Sequence, residues 1–102
     1  VLHKQTFDGF LNPELGAYLQ SQGKQFVLVA GLVTSICVLL TGIAAAQRGY
    51  LTALVADCSA DEPAAHARTL ANYPFALEVV ESTELIENYA KWQAQLAQLA
   101  AS

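Results

Sequence analysis

The stretch that decides the fold is residues 26–42, which read FVLVAGLVTSICVLLTG. Its first five residues form a continuous apolar run, which is typical of a strand covered on both faces, as strands in parallel sheets are. A short polar turn follows, and an apolar pattern with helical spacing begins at about Ser35. The stretch therefore predicts a strand, a turn and a helix, with Cys37 where the helix begins.

The start of a helix is a position that favours a reactive thiol. The first four backbone N–H groups of a helix lack intrahelical partners and carry a partial positive charge. An anion is favoured there, so a thiol ionises more readily. The other interpretation of Cys37 is a buried, inert thiol, because free cysteine also behaves as a small hydrophobe. Cys58 has no comparable position, and we predict a structural role for it.

Helices and strands alternate along the rest of the chain. Asn12 and Pro13 predict a helix start, as cap and first helical residue, and Gly23 ends that helix. A helix with Pro63 in its first turn is capped by Ser59 or Asp61. The predicted strands are 26–30, 50–56 and 75–80; the predicted helices after the first are 35–48, a third one ending near residue 71, and 86–101 after a helical turn at 82–85.

This alternation predicts an α/β fold in which a parallel sheet is flanked by helices, a three-layer, Rossmann-like α/β/α arrangement. In open α/β sheets, ligands bind at the carboxyl ends of strands. Cys37 lies just past such an end. No repeat, linker or low-complexity segment divides the chain, so residues 1–102 are predicted to form one structural unit.

The composition excludes several classes of protein. With 54% hydrophobic and 14% charged residues, the chain is too apolar for disorder. Its net charge is −4, and its five Lys and Arg residues are scattered, so we predict no nucleic-acid partner. Two cysteines form neither a metal-type pair nor a dense disulfide framework, which favours a reducing, cytoplasmic setting.

A membrane span is the competing interpretation of the central segment. Residues 26–46 carry no charge and are long enough to cross a bilayer. However, Gly31, Thr34 and Ser35 interrupt them, their first part is strand-like, and no aromatic belt marks the ends. We therefore predict no membrane partner. The chain contains no Met and no signal-peptide pattern at its start, and we expect N-terminal sequence to be missing.

A set of residues spread along the chain carries a family resemblance: Lys4, Phe10, the block GLVTSICV at 31–38, Thr41, Ala45, Gly49, Tyr50, Asp57 and His66. With these residues, the chain resembles the C-terminal part of the isochorismatase-like cysteine hydrolases, a superfamily that includes the nicotinamidases and N-carbamoylsarcosine amidases. The resemblance runs over residues 1–85, and the block around the cysteine is its most specific part.

The resemblance implies a catalytic group of Asp, Lys and Cys, of which Lys4 and Cys37 match the last two. The family's Asp precedes the Lys, whereas Asp8 follows it and is no substitute, so the resemblance implies a domain without its N-terminal part. It also implies that the thiolate attacks a small amide to give a thioester, which water hydrolyses. The backbone N–H groups of Val33 and Cys37 match the oxyanion hole. A cis peptide is implied between Leu32 and Val33.

Other residues near these positions have plainer roles. Phe7 and Phe10 line a substrate pocket in one interpretation and are ordinary core in the other. His66 is predicted to be structural and Asp57 to organise the loop after its strand. His3 neighbours Lys4 on a predicted strand, so its side chain points to the opposite face.

The function predicted from these residues is cysteine-dependent hydrolysis of a small amide or another carbon–nitrogen substrate. No cofactor is expected, and no metal is assigned, because the metal residues of nicotinamidases precede the Lys. A binding or oligomerisation module that keeps the fold without catalysis is one alternative. Hydrolysis of an isochorismate-type vinyl ether is another, although Cys37 favours amides because isochorismate hydrolases often lack the nucleophile. The resemblance implies a homo-oligomer, in which Trp92 and Leu96 serve packing or a subunit contact.

Overall fold

The computed structural model describes residues 2–73 and 76–101. A 3₁₀ turn at Gly9–Leu11 precedes the first helix, and a π-helical turn at Thr34–Val38 follows the first strand. The helices are α1 (Pro13–Ser21), α2 (Leu39–Gln47), α3 (Pro63–Asn72) and α4 (Ser82–Ala101), and the strands are β1 (Phe26–Leu32), β2 (Leu51–Ala60) and β3 (Glu78–Val80).

The three strands form a parallel sheet in the order β1-β2-β3. The pairing of β1 with β2 is interrupted near its end: Val29 lies opposite Leu54, whereas Gly31 lies opposite Ser59. A step of two residues along β1 thus matches a step of five along β2. Because of this irregularity, the residues that follow Ala60 lie beside the end of β1, where the turn that holds Cys37 begins.

Helices cover both faces of the sheet, which confirms the predicted three-layer α/β class. On one face, a buried cluster that includes Val29 and Leu54 packs against α2 and α3. Burial of a leucine such as Leu54, which is 1% exposed, stabilises the fold by roughly 1.5–3 kcal/mol. On the other face, Ala53 and Val55 pack with α4. The alternation along β2 sends neighbouring side chains to opposite layers.

Helix α1 and the N-terminal segment form a second cluster beside α2. Phe10, Ala44 and Ala45 are buried there, and Leu15 and Leu19 of α1 pack against them. As predicted, the Asn12 side chain caps α1, by accepting a hydrogen bond from the Glu14 N–H at 3.0 Å. These contacts fix α1 and the segment before it against α2.

The start and end of the second helix differ from the predicted 35–48. Its first turn is π-helical, with the Val38 N–H bonded to the Val33 carbonyl at 3.2 Å, and the α-helix proper begins at Leu39. Gly49 follows the helix with φ of +90°, a conformation that favours glycine, so the predicted stop is confirmed.

The predicted cap of α3 was wrong. Glu62 caps the helix, because its carboxylate accepts the N–H groups of Ala64 and Ala65. Ser59 instead donates its hydroxyl to the Val55 carbonyl within β2, and Asp61 bonds to Ser35. Both candidate caps are therefore engaged elsewhere.

Three other boundaries also changed. β2 runs from Leu51 to Ala60, whereas the predicted strand was 50–56. The third strand is short: Leu77 donates its N–H to the Tyr73 carbonyl, which closes a turn before β3, and residue 75 of the predicted strand lies outside the described residues. The helical turn at 82–85 and the last predicted helix are one continuous helix, α4.

The N-terminal residues are not a strand. Residues 2–4 have no regular secondary structure, so the predicted alternation of His3 and Lys4 across a sheet does not apply. Side chains hold this segment instead: Asn12 donates its Nδ2 to the His3 carbonyl at 2.7 Å.

In the described part of the chain, no helix has both the length and the hydropathy that crossing a bilayer requires. The apolar segment 26–46 is divided between β1, the π-helical turn and most of α2.

Candidate active site

Cys37 lies in the π-helical turn that joins the carboxyl end of β1 to α2. Its side chain is half-buried and free of any disulfide. Cys37 lies two residues before Leu39, the first residue of α2, among the backbone N–H groups at the start of the helix. The predicted position at a strand end and a helix start is what the structure shows.

Lys4 approaches this thiol from a distant part of the sequence. Its ammonium lies 3.7 Å from Cys37 Sγ and donates a second hydrogen bond to the Thr6 carbonyl at 3.0 Å. Lys4 is exposed, and at such a distance in water a lysine ammonium attracts a thiolate by about 1 kcal/mol. The structure thus brings together the two side chains that the resemblance matched.

Thr41 of α2 holds the segment that carries Lys4. The Thr41 hydroxyl accepts the Gly9 N–H at 2.9 Å and lies 3.4 Å from the Phe7 carbonyl, to which it donates. Since Thr41 is one helical turn after Cys37, the same helix positions the thiol and anchors the chain next to Lys4. The sequence offered no separate signal for this role.

A cavity of about 340 Å³ lies beside the thiol. Most of its lining is apolar, and it borders the exposed edge of β1, where Leu32 is 71% exposed. The lining residues are Lys4, Phe10, Leu15, Leu19, Val27, Leu28, Val29, Ala30, Leu32, Cys37, Val38 and Thr41.

The two predicted pocket aromatics have different positions. Phe10 lines the cavity and is also core, because it is 5% exposed and its ring centroid lies 6.2 Å from that of Tyr50. The Arg48 guanidinium lies over the same ring at 4.7 Å, a cation–π contact that fixes the ring further. Phe7 is 56% exposed and lies outside the cavity lining.

The peptide bond between Leu32 and Val33 is cis. The Val33 carbonyl accepts the N–H groups of Ile36 and Val38, both at 3.2 Å, so Val33 belongs to the turn that carries the thiol. The assignment of the Val33 and Cys37 N–H groups to an oxyanion hole stays a prediction.

A polar cluster contacts the turn. The sequence predicted a structural role for His66 and a candidate helix cap at Asp61, but not that either residue bonds to the turn. The buried Thr34 hydroxyl lies 2.7 Å from His66 Nδ1. Asp61 accepts the Ser35 N–H at 2.9 Å and the Ser35 hydroxyl on the same oxygen. The Ser35 hydroxyl is the main cause, and its N–H the second, of a lowered Asp61 pKa. The hint in the sequence was Asp61 two residues before Pro63, which is also the pattern of a helix cap.

Asp57 belongs to a different part of the structure. It lies within β2, and its carboxylate accepts the Ser82 hydroxyl and the Ser82 N–H, the latter at 2.8 Å. These bonds, with the hydroxyl first, lower the Asp57 pKa. Asp57 thus holds the start of α4, not the loop after its own strand. Cys58 is exposed beside it, 3.9 Å from an Asp57 oxygen, so it does not contribute to the core.

Among the residues that the structure describes, no three His, Cys, Asp or Glu side chains are grouped closely enough to hold a metal ion.

The comparison with known families agrees with this geometry. The family model of the isochorismatase domain matches residues 1–85. The chain belongs to the isochorismatase family. Among curated proteins, the maleamate amidohydrolase of Pseudomonas putida is 36% identical over 61 residues, which cover 60% of this chain and 29% of that protein.

Solved isochorismatase-family structures share the fold. An isochorismatase-like hydrolase from Alkaliphilus metalliredigens aligns with a TM-score of 0.81 at 24% identity, over 84% of this chain and 49% of that one. At this identity the likeness shows the fold alone. The nicotinamidase of Staphylococcus aureus is 30% identical with a TM-score of 0.68, over 74% of this chain and 51% of that one. The isochorismatase-family chain described here thus spans about half the length of these structures and less of the curated relative.

Proposed function

We propose that this chain carries the nucleophile of a hydrolase that acts on small carboxamides through a cysteine thioester. The observation that supports this best is the pair formed by the Lys4 ammonium and Cys37 Sγ, 3.7 Å apart at the start of a helix and beside a cavity. A nucleophile needs a group that favours its anionic form, a space for the substrate and access to both. Cys37 has the Lys4 ammonium as such a group, and the adjacent cavity provides both the space and the access.

The reaction proceeds in two halves. The Cys37 thiolate attacks the amide carbonyl carbon, and the carbon–oxygen electron pair moves onto the oxygen, where backbone N–H groups of Val33 and Cys37 stabilise the charge. The pair returns, the carbon–nitrogen bond breaks, and the amine leaves with a proton. Water then gives one proton to the base that took the thiol proton and attacks the thioester carbonyl; the carbon–sulfur bond breaks, the carboxylic acid is released, and the base returns its proton to the Cys37 sulfur.

Proton transfer needs an acid and base beside the nucleophile. In the described part of the chain, the Lys4 ammonium donates to the Thr6 carbonyl and to Cys37 Sγ and to no carboxylate. We propose that the Asp of the family's catalytic group comes from a segment outside these 102 residues. It would take the thiol proton in the first half and return it to the leaving amine.

The chemistry of the cavity and the names of the relatives point to the same substrate class. A cavity of about 340 Å³ suits a small molecule, and its lining is apolar except near Lys4, Cys37 and Thr41. Maleamate and nicotinamide, named in two relatives, are both small carboxamides. We therefore propose a small primary carboxamide as the substrate.

The test is turnover of a panel that includes maleamate, nicotinamide and small carbamoyl compounds, with release of ammonia as the readout. The full-length protein and its Cys37→Ala and Cys58→Ala variants are compared. Loss of the nucleophile should reduce kcat by on the order of 10³-fold or more, because covalent catalysis stops. Cys58→Ala should have little effect, since this exposed thiol lies outside the cavity lining.

Equal rates for wild type and Cys37→Ala would show that the cysteine is no nucleophile. Turnover of isochorismate with no amide hydrolysed would favour the vinyl-ether reaction, and no turnover of any compound would favour a binding module.

A further inference from the structure

Two polar side chains hold the turn that carries Cys37: Asp61, which precedes α3, and His66, which lies within α3. Thr34 and Ser35 are the first two residues of the turn, and each bonds to a different one of these side chains. His66 Nδ1 lies 2.7 Å from the Thr34 hydroxyl, and Asp61 accepts from Ser35.

Because Thr34 is buried, its hydroxyl depends on His66 as a hydrogen-bond partner. Thr34 is 0% exposed, so its hydroxyl has no access to water. A buried hydroxyl without a partner costs about 1–3 kcal/mol, so the native turn is favoured only where the His66 ring meets it. The position of α3 and the position of the turn are thereby coupled.

The second bond fixes the backbone itself. Asp61 Oδ2 accepts the Ser35 N–H at 2.9 Å and also the Ser35 hydroxyl. The other Asp61 oxygen accepts the Glu62 N–H at 2.7 Å, so the carboxylate joins the turn to the start of α3. Cys37 follows Ser35 by two residues, and any rotation of the turn at Ser35 moves the sulfur relative to Lys4.

We propose that His66 and Asp61 are positioning residues that hold the turn so that Cys37 Sγ stays within reach of the Lys4 ammonium. This inference rests on the proposed role of Cys37 as a nucleophile. Neither residue lines the cavity, so neither touches the substrate. They act through Thr34 and Ser35, and a misplacement of about 1 Å by such residues can cost about a hundredfold in rate.

The test measures the alkylation of Cys37 by iodoacetamide at neutral pH, with exposed Cys58 of the same molecule as the reference. Thr34→Val removes the hydroxyl and keeps the shape, and Thr34→Ser keeps the hydroxyl. We expect Thr34→Val to slow Cys37 alkylation by about tenfold relative to Cys58, and Thr34→Ser to restore the rate to within about threefold.

Thr69→Val is the matched control. Thr69 is also buried, but its hydroxyl donates to the Ala65 carbonyl within α3 and not to the turn. This variant should leave the alkylation ratio unchanged. Asp61→Ala is a second disruption at a partly exposed residue, which keeps the test usable if Thr34→Val does not fold. It should slow Cys37 in the same direction.

Turnover of an amide that the wild type hydrolyses distinguishes a positioning role of these residues from a general effect on the stability of the protein. Thr34→Val and Asp61→Ala should lower kcat and leave KM within about twofold, because the substrate contacts are intact. Unchanged Cys37 alkylation in folded Thr34→Val and Asp61→Ala would overturn the positioning role. That result differs from failure of the proposed function, which Cys37→Ala reports separately through turnover.

Discussion

At the residue scale, the site depends on one contact between two side chains that are 33 positions apart in the sequence. The resemblance pointed to both residues, and spacing alone could predict only Cys37. Lys4 could not be placed from local pattern, because its segment has no regular secondary structure. Asp61 was missed for a physical reason: its bond to Ser35 depends on the irregular pairing of β1 with β2, which no local pattern encodes.

Replacing Lys4 with methionine tests the contact directly. The Lys4→Met variant keeps an unbranched side chain, one atom shorter, and removes the positive charge 3.7 Å from Cys37 Sγ. Because the thiolate loses that attraction, Cys37 alkylation at neutral pH should fall by roughly five- to tenfold.

The matched control is Lys24→Met, which removes a lysine from the exposed loop before β1. It should leave the rate unchanged. Equal alkylation of wild type and Lys4→Met would mean that the ammonium does not stabilise the thiolate.

At the element scale, the central unit of strand, turn and helix was predictable, and so were α1 and the parallel sheet. Apolar runs, caps and the Gly49 stop are local signals. The boundaries that moved depend on contacts distant in sequence: β2 extends to Ala60 because it pairs with the end of β1, and Asp57 bonds to Ser82 of α4. The two candidate caps of α3 are engaged by β2 and by the Cys37 turn, and so Glu62 takes the position.

The bond between Asp57 and α4 predicts a pH dependence of stability. The Ser82 hydrogen bonds lower the Asp57 pKa in the folded state, and those of Ser35 lower that of Asp61. Their contribution is fully present above the unfolded pKa of about 3.9 and is lost as the pH falls through the lower folded values. The urea concentration at the midpoint of unfolding should therefore decrease as the pH is lowered from 6 to 3.

Asp57→Asn should reduce this difference in urea midpoint, because one of the two linked carboxyl groups is gone. Glu87→Gln removes an exposed carboxyl from α4 and serves as the control. An identical pH difference in wild type and Asp57→Asn would contradict the linkage.

At the scale of the whole molecule, β1 is the outermost strand of the sheet on the side of the cavity, among the residues that the structure describes. Within these residues β1 pairs with β2 alone, and Leu28 and Leu32 are 47% and 71% exposed beside its other edge. An open edge with apolar neighbours is a template for pairing with another chain. The β1 edge, which could pair with another chain in the predicted homo-oligomer, is therefore adjacent to the cavity beside Cys37.

We expect this chain to self-associate through the β1 edge. Leu28→Lys should shift the population toward monomer, because a charged side chain on an edge strand opposes pairing. Sedimentation velocity over a concentration series measures the change. Leu11→Lys, at a residue 62% exposed in the 3₁₀ turn, is the control. A Leu28→Lys variant that associates as strongly as wild type would exclude this edge.

The opposite layer of the sheet has a practical consequence for any study of this protein. The sole tryptophan, Trp92 on α4, stacks on Phe26 with ring centroids 6.3 Å apart, on the face away from Lys4 and Cys37. Intrinsic fluorescence therefore reports the docking of α4, and circular dichroism reports helices and strands to which the Lys4 segment does not belong. Detachment of that segment would remove Lys4 from the Cys37 thiol while both spectra stay unchanged, so the state of the site has to be assayed at the thiol itself.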